Sequence, residues 1–236
     1  MSTSADRGSM ARFDAVLFDA GGVLVLPDPT VLAPLLAHYG GSLDHERHRR
    51  AHYSAMKAKS DARSFEGSWD VYNGTYVASV DVPDHERNEA AQVLDRTRSA
   101  WLWRHRIDDS RVALDRFADG DVPIGVVSNA SGQIEQMLAR EICQIGDGEH
   151  VAMRCIVDSH VVGVAKPDPA IFDHALPYFD GIERSRIAYV GDSVTMDIEG
   201  ATAAGLHPIL LDPYGDHSGA HFERIGSLHE LADELV

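Results

Sequence analysis

Five short runs of apolar, largely β-branched residues punctuate the chain, each bounded by turn residues: 15–18 ("AVLF"), 122–128 ("VPIGVVS"), 155–158 ("CIVD"), 186–191 ("RIAYVG") and 207–212 ("HPILLD"). None alternates cleanly with polar residues. Continuous apolar runs of this length suit strands covered on both faces, as in a parallel sheet. Helical patterns lie between most of them. Residues 131–145 place Ile134, Met137, Leu138, Ile142 and Ile145 on one helical face. Residues 168–179 open with Asp168 as an N-cap and Pro169 in the first turn. Residues 194–205 end at Gly205, a suitable C-terminal cap. The alternation predicts an α/β fold, a Rossmann-like doubly wound parallel sheet.

One region breaks the alternation. From 29 to 106 there is no strand run, only helical stretches such as "PTVLAPLLAHYG" and "NEAAQVLDRTRSAWLWRH". The expected organisation is therefore a core of 11–28 and 107–236, an inserted all-helical cap of 29–106 over the carboxyl edge of the sheet, and a disordered leader at 1–10.

Composition narrows the partners. The 236 residues carry 37 acidic and 21 Lys or Arg side chains, a formal net charge of −16. Such a surface repels nucleic acid and anionic lipid, so neither is expected as a partner. No apolar run approaches the roughly 18 residues of a membrane span, and the polar start lacks a secretion signal. A cytoplasmic protein is the default expectation. Cys143 and Cys155 fit buried free thiols better than a disulfide framework or zinc site. An anionic substrate would need a locally positive pocket or a bound cation.

Ligands of open α/β sheets bind beyond the carboxyl ends of the strands. Three runs end there in polar groups: Asp19, then Ser128 with Asn129, then Asp192 with Ser193. "VGVAKPDP" adds Lys166 just before a proline-started helix. The chemistry they could share is phosphoryl transfer. Asp19 would attack phosphorus and form an aspartyl phosphate. Asp19 and Asp192 would hold Mg2+ with a backbone carbonyl and waters. Lys166 would offset the gathering negative charge. Ser128, Asn129 and nearby N–H groups would hold phosphate oxygens.

These stretches resemble the motifs of the haloacid dehalogenase-like (HAD) hydrolase superfamily, in its helical-cap phosphatase and dehalogenase branch. "FDAGGVL" matches the first motif, "VVSN" the second, "AKPDPAIF" the third and "VGDSVTMDIEGATAAG" the fourth, covering 13–27 and 120–212. The resemblance implies a Rossmann-like core with a helical cap, Asp19 as nucleophile, and magnesium on Asp19, the Gly21 carbonyl and Asp192. Asp197 would be a further acidic residue near the metal, acting through water. The implied activity is hydrolysis of a small phosphorylated metabolite.

The chain departs from the phosphatase pattern at Gly21, where a second aspartate usually protonates the leaving group. A glycine carbonyl can bind a metal but cannot transfer a proton. General acid–base catalysis supplies roughly 10²–10⁴-fold, so its loss need not end turnover. It would favour acidic leaving groups, or a cap residue doing the same work. Two alternatives follow: a metal-independent dehalogenase-type hydrolase with Asp19 attacking carbon, and a catalytically degenerate binding protein. His45, His48 and His52 share a helical face, and the arginines around them read as a solvated cap surface. Trp101 and Trp103 are expected to pack where cap meets core.

Overall fold

The computed structural model describes residues 11–64 and 67–236; the expected leader at 1–10 lies outside them. The first strand, β1 (Ala15–Phe18), is followed by β2 (Val25–Pro27) and helices α1 (Pro29–Ala37), α2 (His45–Asp61), α3 (Asp70–Ser79) and α4 (Arg87–Thr97). Then come β3 (Trp103–Arg106), α5 (Asp108–Asp119), β4 (Ile124–Ser128) and α6 (Ile134–Leu138). Strands β5 (Cys143–Ile145), β6 (Val151–Met153) and β7 (Ile156–Asp158) lead into α7 (Ser159–Val162). The chain closes with β8 (Ile187–Gly191), α8 (Glu199–Ala203), β9 (His207–Leu211), β10 (Glu223–Ile225) and α9 (Leu228–Leu235).

Six strands form one parallel sheet in the order β10-β9-β8-β1-β4-β7. Side chains alternate between its faces. Val16, Phe18, Val126, Ala188 and Val190 enter the cluster that holds Leu114 and Phe117 of α5 and Leu231 of α9. Ala15, Leu17, Val127, Ile187 and Tyr189 enter the opposite cluster with Ile171, Phe172, Phe179 and Ala201. Both faces are covered, which is why these strands read as unbroken apolar runs. Helices α1–α4 bury a third cluster of their own, around Leu32, Leu36, Met56, Tyr72, Tyr76 and Leu94.

Several local expectations fail for identifiable reasons. A strand does occur within 29–106: β3 pairs antiparallel with β2. Its sequence, Trp-Arg-His-Arg, carries no apolar run, so only the pairing reveals it. The helix expected through 105 stops at Thr97. The helix expected over 131–145 spans only Ile134–Leu138, because 143–145 pairs with 151–153 and leaves Ile145 exposed. Residues 168–179 form two short 3-10 turns, Pro169–His174 and Leu176–Phe179. Pro177 has no N–H to continue a helical ladder, although Asp168 does cap Ala170 as expected. Residues 194–205 open with a wide π turn, Val194–Ile198, before α8, and Gly205 follows at φ +77°. Cys143 and Cys155 are buried free thiols.

Candidate active site

The site is assembled by three adjacent parallel strands. Phe18 lies beside Val126 of β4 and Val190 of β8, so Asp19, Ser128 and Asp192 all emerge at one carboxyl edge. The Asp19 N–H donates to the Val190 carbonyl at 2.8 Å. Lys166 comes from the loop beyond α7 and is positioned by Asn129, whose side chain accepts from the Lys166 N–H (2.8 Å) and donates to its carbonyl (3.0 Å). That reciprocal pair ties the Asn129 amide to the lysine loop and leaves it one further N–H donor.

The Lys166 ammonium lies 3.0 Å from Asp19 Oδ1 and 2.6 Å from Asp197 Oδ1. It also donates to the Tyr189 hydroxyl at 2.8 Å. Asp197 accepts from Lys166 and Tyr189 on Oδ1, and from the Asp192 and Ser193 N–H groups on Oδ2. Four donors therefore saturate it, and its job is to hold the lysine and the loop after β8. Side-chain exposure separates the members: 13% for Asp19 against 1% for Lys166 and Asp197. Asp19 is the carboxylate that a molecule entering the cavity can reach.

Ligand oxygens of Asp19, Asp192 and Asp197 lie within 4.8 Å of one another. Three buried carboxylates around one ammonium leave the cluster negative. Burial is the largest influence on Asp19 and raises its pKa. Lys166 opposes this, Asp197 and Asp192 add to it, and a hydrogen bond from Ser128 opposes it again. The result is a carboxyl held well above the usual range. Lys166 moves the other way: burial disfavours its charge, but Asp19 and Asp197 more than offset that and keep it ionised. A hard divalent cation fits such an oxygen set and would supply the balancing charge.

The loop after β1 explains its glycines. Gly22 has φ +71°, and a Cβ there would lie 1.9 Å from Asp192 Oδ2, so only glycine lets the loop pass that carboxylate. A Cβ on Gly21 would meet the Trp103 ring at 3.2 Å. The indole of β3 thus covers the space that a side chain at 21 would enter.

Helix α2 reaches the same loops. His52 Nε2 donates to Asp192 Oδ2 at 2.9 Å while Nδ1 accepts from Tyr72. The Tyr53 hydroxyl donates to the Gly22 carbonyl at 2.8 Å. Ser60 accepts from the Val194 N–H. The reading of the histidines as a solvated face is therefore corrected. His45 is exposed, but His48 and His52 are 2% and 1% exposed. Their hydrogen bonds to Tyr76 and Asp192 replace the water they lose. Trp103 does pack between the sheet's cluster and the helical one. Trp101, 45% exposed, meets residues beyond 106 through Arg140, whose guanidinium lies over its ring.

A cavity of about 460 Å³ opens above these groups. Asp19, Gly21, Ser128, Asn129, Lys166 and Asp192 line one side, with Asp197 among them. Every residue expected at the site thus lies on one cavity.

The family model for haloacid dehalogenase-like hydrolases matches residues 13–205. The chain belongs to that family. Within this HAD hydrolase family it is 33% identical over 127 residues to the pyrimidine 5'-nucleotidase YjjG of Escherichia coli, covering 52% of this chain and 54% of that one. The chain thus spans about half the length of that relative. The fold resembles the HAD phosphatase from Thermococcus onnurineus, with a TM-score of 0.55 at 21% identity, over 93% of this chain and 96% of that one. It also resembles a dehalogenase with an intermediate complex, at TM-score 0.56 and 16% identity, over 96% and 98% of the two chains. No helix among the described residues is long and apolar enough to cross a membrane.

Three groups at this HAD site, Lys59, Trp69 and Arg98, escaped the sequence reading, and a fourth, His52, was read there as part of a solvated face. The spacing 52, 56, 59 carried a signal, because His52, Met56 and Lys59 repeat at helical intervals on α2. Trp69 and Arg98 sit beyond helix ends, where no periodicity marks them.

Proposed function

We propose that the protein is a magnesium-dependent phosphatase of small phosphorylated metabolites, with 29–106 serving as the cap of a core made of 11–28 and 107–236. The observation that supports it is Asp19, reachable from the cavity yet in contact with Lys166 and close to Asp192. Asp19, Asp192 and the Gly21 carbonyl would hold the metal, which when bound screens phosphate charge from the carboxylates.

The chain's own groups define the reaction. An Asp19 oxygen attacks phosphorus, and the P–O bond to the leaving group breaks with its electron pair on the departing oxygen. Lys166 stays charged throughout and offsets the anion, held in place by Asp197 and Tyr189. Ser128, which hydrogen-bonds Asp19, is placed to hold a phosphoryl oxygen. Water then attacks the phosphorus of the aspartyl phosphate, releasing phosphate and restoring the carboxylate. Gly21 offers no proton to the leaving oxygen, so substrates with acidic leaving groups are favoured and turnover is slow.

A phosphate-release screen over many phosphomonoesters, with and without magnesium, tests the proposal, with Asp19→Asn as the control. Release that needs both magnesium and Asp19 supports it. One observation favours a second reading, attack on carbon: position 21 has no acid, as that chemistry would allow. Activity on haloacids that persists in a chelator would move the assignment there.

A further inference from the structure

Two loops carry the groups assigned to the cation. The turn after β1 holds the Gly21 carbonyl, and the turn after β8 holds Asp192. One helix, α2, grips both. His52 Nε2 lies 2.9 Å from Asp192 Oδ2; a carboxylate oxygen only accepts, so Nε2 carries the proton. Nδ1 lies 2.9 Å from the Tyr72 hydroxyl of α3, which fixes the orientation of the ring. The next residue, Tyr53, donates its hydroxyl to the Gly22 carbonyl at 2.8 Å. The His52 and Asp192 side chains are 1% and 3% exposed, so their bond is shielded from water. A Cβ at Gly22 would lie 1.9 Å from the same Oδ2, so that oxygen is close against the glycine as well as the imidazole. Asp192 lines the cavity above Asp19 and His52 does not. The histidine can therefore act on a guest only through the carboxylate.

We propose that His52 and Tyr53 are positioning residues for the divalent cation, so that the cation site on the sheet is completed from the helical layer. His52 holds Asp192 by one oxygen and keeps the carboxylate from turning away; Tyr53 steadies the loop that brings the Gly21 carbonyl. The inference rests on the metal-dependent reading above. A buried carboxylate that loses its donor is left unsatisfied and free to rotate, and restoring its orientation then costs part of the cation's affinity. His48 supplies an internal contrast. It lies four residues earlier on α2 and is 2% exposed, but its bonds, to Tyr76 and the Ser42 carbonyl, stay within 29–106.

Calorimetric titration of the whole chain with Mg2+, with no substrate present, tests this. An asparagine amide reaches about as far as Nδ1 of histidine and a glutamine amide about as far as Nε2. His52→Asn therefore loses the bond to Asp192, and His52→Gln can keep it. His52→Asn should weaken the Kd at least about tenfold, and His52→Gln should stay within about threefold of the natural value. His48→Asn should leave the Kd unchanged, although it too gives up a buried bond. A purely structural role for His52 would weaken the cation alike in the Asn and Gln variants, and that result overturns the proposal. So does a natural Kd in His52→Asn, or a loss in His48→Asn as large as in His52→Asn. Should the histidine variants not fold, Tyr53→Phe carries the test: it removes one hydroxyl and should weaken Mg2+ about threefold, and an unchanged Kd overturns the proposal. A natural protein that takes up no Mg2+ sinks the metal-dependent reading and this inference together. One that binds Mg2+ as tightly as its Asn and Gln variants leaves that reading standing and overturns this inference alone.

Discussion

The two sides of the cavity are held by different means. On the sheet side, Asp19 and Asp192 directly follow β1 and β8, Ser128 ends β4, and the buried Asp197, which holds Lys166, is fixed by four donors. On the helical side, Lys59 comes from the last turns of α2, Trp69 and Arg98 from positions flanking helices, and Trp103 from a short strand. They meet through ring contacts rather than a ladder. The contrast teaches that reaction chemistry is placed on the part of the fold with the least freedom. The helical layer packs around its own core, so its residues can diverge without disturbing the sheet.

The largest expected effect is on the sheet side. Asp19→Asn should lower phosphate release by at least about 10³-fold, measured in single- and multiple-turnover assays, because it removes the proposed nucleophile, the most exposed of the three clustered carboxylates. If Arg98→Met proves as damaging towards every substrate, the contrast between the walls dissolves.

Next comes Lys166→Met. It leaves buried carboxylates with no ammonium and should cost about 3–5 kcal/mol in urea denaturation.

A smaller effect probes the boundary between the walls. Gly21→Asp brings in a proton donor, but its Cβ meets Trp103 at 3.2 Å. Combined with Trp103→Ala, it should raise turnover of poor-leaving-group phosphomonoesters by up to about 10²-fold, and alone by less. An unchanged rate in the double variant would refute this account of the glycine.

The smallest effect lies within the helical layer. Burial lowers the pKa of His48; its bond to the Ser42 carbonyl and the charge of Asp44 oppose this, and His45 adds to it. The unfolded chain therefore takes up this proton at a higher pH than the folded one. The contribution is complete above the ordinary value of about 6.5 and is lost as pH falls below it, by at most about 1.4 kcal/mol per pH unit. Thermal unfolding between pH 5 and 7 should be less pH-dependent in His48→Gln than in the natural protein.

The sheet half of this picture was legible because burial on two faces writes a continuous apolar run, and because a charge at the end of such a run is costly without a purpose. Asp19 and Asp192 stand out on that ground, whereas Ser128 and Lys166 were found through the motifs they sit in. The role of Asn129 was not legible, since its partner lies 37 residues away and is backbone. Nor was β3, whose polar residues acquire meaning only beside β2. His52 was visible as part of a helical stripe, but its burial depends on where α2 docks. Arginines nearby in sequence pointed outward while the stripe between them faced the sheet: Arg47 is exposed and His48 buried.

Helix α2 gives one consequence that needs no change of residue type. His52 and Lys59 are seven positions apart, two full turns, so one contacts a carboxylate of the sheet and the other the opposite wall from a single face. One residue inserted between them would swing the lysine through about 100° and turn it away from the indole while leaving the histidine in register. The phase of this helix, rather than the identity of its side chains, is what lets one of its faces touch both walls.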